Sequence, residues 1–137
     1  MAEQLLFELV SPERLVLSRP VEMVVIPGME GDFGALPGHA PLISELRPGL
    51  IVVFDGGQAQ DRIFVAGGFA EVAGERCTVL AEQAVAIGQI DRSAVEVELR
   101  DARDDLQDSK NDHERIDAET AIAVAEAKLA ALETTVY

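Results

Sequence analysis

All 11 glycines and all 6 prolines of this 137-residue chain fall at or before Gly88, and none follows it. Glycine and proline are the two residues that a helix interior tolerates least, so the chain is predicted to change its rules of folding near that point. We therefore expect two domains, residues 1–88 and 89–137. The breakers are densest in residues 27–49, PGMEGDFGALPGHAPLISELRPG, where five glycines and four prolines occupy 23 positions. A backbone of that composition must reverse direction several times, because glycine supplies positive φ and proline fixes φ while withholding a ladder donor.

Between the breakers lie strand-sized pieces rich in β-branched and alternating residues: 5–10, 14–18, 21–26, 32–36, 42–46, 50–54, 62–66, 69–73, 76–81 and 85–87. Ten such pieces predict a β-sandwich or flattened barrel. Asp55-Gly56-Gly57-Gln58 and Ala73-Gly74-Glu75 have the composition of hairpin turns, so adjacent strands are expected to pair. Met23-Val24-Val25-Ile26 and Leu50-Ile51-Val52-Val53-Phe54 are apolar at every position, where one solvated face would demand alternation. Two readings stand: an outer face covered by the tail or another subunit, or a thick local core.

After Gly88 the period becomes helical. Asp91 is placed to cap a helix, and Val95, Leu99, Ala102 and Leu106 follow at spacings of four, three and four. Ser109-Lys110-Asn111-Asp112 interrupts, and Ala118, Ile122, Ala125, Leu129 and Leu132 form a second stripe. Small alanines let two such helices approach closely, which predicts an antiparallel helical hairpin.

Composition narrows the function. A net charge of −14 repels nucleic acid and anionic lipid. Half of that charge lies after residue 90, as 13 acidic against 6 basic residues, so the tail is the more densely negative part. No apolar run is long enough to cross a bilayer, and residues 1–10 lack the pattern of a signal peptide. The lone Cys77 lies in a strand pattern, which favours a buried small hydrophobe over a reactive thiol.

Catalytic chemistry finds little material. Gly28, Gly31 and Gly34 match neither a phosphate-cradling loop nor a dinucleotide fingerprint, and turn geometry accounts for them. His39 and His113 are the only histidines and fall in different domains, leaving no histidine-based metal site or triad. The carboxylates are plentiful but unpaired by any enclosing pattern. We expect no enzyme, no cofactor and no metal.

The string Pro27-Gly28, Gly31-Asp32-Phe33-Gly34, Leu36-Pro37-Gly38-His39-Ala40-Pro41-Leu42 and Pro48-Gly49 resembles the signature of the epsilon subunit of bacterial F-type rotary ATP synthases, the counterpart of the mitochondrial delta subunit. A second likeness lies in Phe64-Val65-Ala66-Gly67-Gly68-Phe69-Ala70-Glu71-Val72, read as strand, glycine pair, strand. With the tail included, the resemblance covers nearly the whole sequence. It implies a non-catalytic rotor subunit of the central stalk, peripheral on the cytoplasmic face of the bacterial cell membrane, that links the gamma subunit to the ring of c subunits and couples proton flow to ATP synthesis.

On that resemblance Met29, Glu30, Gly31, Asp32, Phe33 and His39 would face the c-ring, and Ser11 and Ser44 would face gamma. From its residues alone His39 has two readings, a hydrogen-bonded turn residue or an interface residue, and the resemblance favours the interface. The family's hairpin can reach the alpha and beta catalytic subunits and block hydrolysis, meeting an acidic loop of beta; a tail this acidic implies weak inhibition. Some family members bind ATP where an Ile-Asp pair opens the first tail helix. Ile90-Asp91 matches that opening, but Ala94 stands where an arginine is expected and Val95 where an alanine is, and Arg100, Arg103 and Arg115 do not take the family positions. A simple helix cap at Asp91 is the expectation. The rival to the rotor reading is a small-molecule sensor, with a ligand held between sandwich and hairpin.

Overall fold

A computed structural model describes residues 3–133. The chain forms β1 (Leu5–Val10), β2 (Leu15–Val21), β3 (Met23–Gly28), β4 (Gly31–Ala35), β5 (His39–Glu45), β6 (Gly49–Asp55), β7 (Gln58–Gly74) and β8 (Arg76–Ala86), then α1 (Arg92–Gln107) and α2 (Asp112–Glu133). It divides into two compact units, one running to Ala86 and one starting at Ile87.

Eight strands replace the ten expected. Pieces 62–66 and 69–73 are one strand, β7, and pieces 76–81 and 85–87 merge into β8, which follows β7 as far as Ala86. Gly67 and Gly68, at φ +71° and +116°, bend β7 without breaking its ladder: Ala66 opposes Gln83 and Gly68 opposes Ala81 in one register. The glycine pair is therefore a corner and not a turn. Before it β7 pairs with β6, and after it with β5.

Sheet order is β2-β1-β8-β7-β6-β3-β4, with β5 on β7. The path keeps two ends, β2 and β4, so the sandwich is not closed into a barrel. β1 and β8 pair in parallel; the other ladders are antiparallel. The β6–β7 hairpin turns on Gly56 and Gly57, both at positive φ as a tight two-residue turn requires.

Alternation sets the core. Leu5, Phe7 and Leu9 of β1 meet Val24 and Ile26 of β3, Ile51 and Val53 of β6, Ile63, Val65, Ala70 and Val72 of β7, and Cys77 and Val79 of β8. Val25, Val52 and Phe64 alternate to the opposite face and are buried as well. β3 and β6 are apolar at successive positions because Val24, Val25 and Ile26, like Ile51, Val52 and Val53, are buried on both faces. Each fully buried aliphatic or aromatic side chain contributes about 1.5–3 kcal/mol, an upper estimate since unfolded chains are not fully solvated.

In the second unit, the Asp91 carboxylate accepts from the Ser93 N–H at 3.0 Å and caps α1. Asn111 does the same for α2, its Oδ1 accepting from the Glu114 N–H at 2.9 Å. Val95 and Leu99 pack with Ala125, Ile122 and Leu129. The ion pairs Arg92–Glu133, Glu98–Lys128 and Arg103–Glu126 rise along α1 as they fall along α2, so the helices are antiparallel. At the far end of the second stripe Ala131 is buried and Leu132 only half-buried.

Candidate docking surface

Strands β3 and β4 form a hairpin whose turn exposes Met29, Glu30, Gly31 and Asp32. Closing it requires glycine at position 28, where a Cβ would lie 2.8 Å from the Gly31 carbonyl oxygen and 3.1 Å from both the Phe33 ring and Ser44 Oγ. The turn is tied to the end of β5 and the segment after it: the Met29 N–H donates to the Glu45 carbonyl at 2.8 Å, and the Arg47 N–H to the Pro27 carbonyl at 3.0 Å. Arg47 adds a second tie. Its Nη1 donates to the Gly28 carbonyl at 2.7 Å, and its Nη2 pairs with the Asp32 carboxylate.

Turn and β5 face each other across an open cleft of about 570 Å³, lined by Met29 to Phe33 and by Leu42, Ile43, Ser44 and Glu45. His39 enters β5 from a Leu36-Pro37-Gly38-His39 turn, in which the His39 N–H donates to the Leu36 carbonyl at 3.1 Å and Gly38 takes φ +81°. Proline and positive-φ glycine at the two central positions are those of a type II turn. The His39 ring is half-buried, donates from Nδ1 to the Ala40 carbonyl at 2.7 Å, and lies 6.4 Å from the Phe33 ring at 41°. It thus both finishes the turn and borders Phe33.

A second surface lies on the outer face of β7 and β8. Phe69 opposes Leu80 on one side and Glu45 on the other, and Ile43 opposes Glu71. Phe69, Leu80 and Ile43 are 51%, 55% and 69% exposed, a cluster of large apolar groups in water. An apolar groove of about 390 Å³ runs beside it, lined by Phe69 and Leu80 together with Val10, Ser11 and Pro12. Ser11 sits in the β1–β2 turn, where its N–H donates to the Arg14 carbonyl at 2.9 Å. Ser11 and Ser44, expected on one face, therefore line separate cavities: Ser44 shares the cleft of the Met29–Phe33 turn, while Ser11 belongs to the Phe69–Leu80 groove.

The tail residues are committed internally. Asp91 caps its helix, the Ile90 side chain packs against the Val95–Leu99–Ala125 cluster, Arg103 faces Glu126, and Arg115 lies between Asp112 and Glu119 on its own helix. No fork of guanidinium groups is gathered for phosphates among these residues.

Residues 4–87 match the family described as ATP synthase, Delta/Epsilon chain, beta-sandwich domain, and residues 91–137 match the C-terminal domain of the ATP synthase epsilon chain. The chain belongs to the ATP synthase epsilon chain family. It is 56% identical to the ATP synthase epsilon chain of Rhodospirillum rubrum over 131 residues, covering 96% of this chain and 98% of that one. The epsilon chain of Paramagnetospirillum magneticum is 50% identical over 132 residues, covering 96% and 99%. In structure, a chain of the Euglena gracilis mitochondrial ATP synthase, solved as OSCP/F1/c-ring, superposes with a TM-score of 0.84 at 30% identity over 95% of this chain and 82% of that one. A chain of the Tetrahymena thermophila central stalk and c-ring superposes at 0.67 with 13% identity over 96% and 97%, a likeness of fold.

Within this epsilon fold, sequence reading missed Phe69, Leu80 and Arg47. Alternation marks the first two once the inward residues are known: Ala70 and Val72 point in, so Phe69 points out, and Val79 and Ala81 do the same for Leu80. Arg47 carries a plainer signal. It is the only lysine or arginine between Arg19 and Arg62, in a stretch that holds the acidic Glu22, Glu30, Asp32, Glu45, Asp55 and Asp61.

Proposed function

We propose that this chain is a non-catalytic rotor subunit that joins the gamma subunit to the c-ring and couples proton flow to ATP synthesis, peripheral on the cytoplasmic face of the bacterial membrane. The exposed Phe69, Leu80 and Ile43 carry this reading. Leu15 on β2 is as exposed, but Phe69 and Leu80 oppose each other across one ladder and line an apolar groove, so these large apolar groups form a patch that a partner would cover. Gamma is assigned to this face and to Ser11 beside it; the c-ring is assigned to the Met29–Phe33 turn with His39. Ser44, on β5 across the cleft from the Met29–Phe33 turn, is also assigned to gamma.

The mechanics suit the role. A docking turn held to β5 by backbone hydrogen bonds transmits torque without a hinge, and function then resides in surfaces and not in a pocket. No helix among the described residues is long and apolar enough to cross a membrane, so attachment is through partners. The hairpin reaches the alpha and beta subunits only when it opens, and it modulates hydrolysis weakly.

Binding of the full-length protein to isolated gamma and to detergent-solubilised c-ring tests both assignments. Leu80→Glu should abolish gamma binding with an unchanged circular dichroism spectrum, and Met29→Ala with Glu30→Gln should weaken the ring contact. Wild-type affinity in these variants overturns the corresponding assignment.

A further inference from the structure

The Met29–Phe33 turn is bounded by Gly28 on one strand and Asp32 on the other, and one side chain holds both. The two Nη atoms of Arg47 reach different acceptors, the Gly28 carbonyl and the Asp32 carboxylate, and the Arg47 backbone N–H holds Pro27 as well. A planar fork meets the two acceptors with two separate nitrogens in fixed geometry, whereas a lysine ammonium must serve both from one nitrogen on a flexible stem. Asp32 is thereby engaged within the subunit, whereas Glu30, at the tip of the turn, is exposed and makes no ion pair among the described residues.

We propose that Arg47 is the positioning residue of the docking turn: it fixes the angle at which Met29 and Glu30 meet the partner, and it does so through Gly28 and Asp32 without touching the partner itself. The inference rests on the assignment of this turn to the c-ring. Both members of the ion pair are more than a third exposed, 39% and 40%, so the pair adds little to global stability. Its effect is local. Without the guanidinium, the β3–β4 hairpin keeps its ladder and the Met29–Glu45 and Arg47–Pro27 backbone bonds, but its tip loses the side-chain tie between Gly28 and Asp32, and each tilted conformation this admits lowers the fraction competent to bind.

The experiment measures the affinity of the full-length protein for detergent-solubilised c-ring, with gamma binding and thermal unfolding as parallel readouts. Arg47→Gln should weaken ring binding on the order of tenfold while leaving gamma binding and the melting temperature close to wild type. Arg47→Lys should restore only part of the loss, and Asp32→Asn should reproduce much of it. In the double variant the two losses should not add, because each breaks the same tie. Additive losses would mean that Arg47 contacts the ring directly and would overturn the positioning role. So would wild-type ring affinity in Arg47→Gln while Met29→Ala and Glu30→Gln remain impaired. If the turn variants bind the ring normally, the assignment of the turn to the ring fails, and the inference falls with it.

Discussion

A Cβ on Gly68 would sit 1.8 Å from the carbonyl oxygen of Leu80. β7 and β8 approach this closely because β7 bends there to leave β6 and join β5, and no side chain fits inside the bend. Gly68→Ala should therefore cost about 3 kcal/mol or more, combining the clash with a positive φ of +116°. Gly74 is the control. It also has positive φ, +61°, but open space around it, so Gly74→Ala should cost about 1 kcal/mol. Urea unfolding of the two variants checks the ranking, and equal costs would show that the bend relaxes freely.

Burial pushes the Cys77 thiol up to about 12. The folded state then holds the proton more tightly than the unfolded state. This contribution to stability is fully present below the unfolded thiol's range and is lost as pH rises toward 12. Wild type should lose stability between about pH 9 and 12 more steeply than Cys77→Ala. Measuring unfolding free energy against pH in both proteins decides it; parallel curves would refute the assignment. At neutral pH the native thiol should resist maleimide that labels it readily in urea.

The hairpin should stay closed for most of the time. Opening it breaks Arg92–Glu133, Glu98–Lys128 and Arg103–Glu126, which engage three of the tail's six cations, and it exposes Val95, Leu99 and Ala125. The cations that would meet an acidic partner are thus spent inside the closed form, and each close like-charge pair in the open form costs about 1 kcal/mol. Deleting residues 91–137 should change ATP hydrolysis by the assembled enzyme less than about twofold at low salt. A several-fold rise would show that the tail inhibits.

Leu99→Ala should loosen the hairpin by about 2–3 kcal/mol, since Leu99 is one of three buried residues of α1 in a helix pair with a thin interface. The loss should appear in the helical circular dichroism signal on heating and leave the sandwich transition in place. A shortened protein of residues 1–88 should likewise unfold cooperatively, because its ladders close among themselves. A single merged transition in Leu99→Ala, shifted as a whole, would contradict this independence.

Sequence alone determined that a β-rich part is followed by two helices, and it marked the helical stripes, because these follow from local backbone preference and from periods that any short window displays. The family signature in residues 27–49 was legible for the same reason: turns need glycine and proline at set spacings. What only the tertiary structure decided depends on register between distant segments. The Gly67-Gly68 pair reads locally as a turn, and only the continuous β7–β8 ladder shows it to be a corner, which is why ten pieces became eight strands. Phe69 and Leu80 look like core residues until their neighbours are seen to point inward, and Ser11 and Ser44 look alike until the strands carry them to different cavities. Arg47 is the clearest case. Nothing local says that its two Nη atoms reach Gly28 and Asp32, because the contacts span 19 and 15 residues and exist only once β5 has folded back beside the β3–β4 turn.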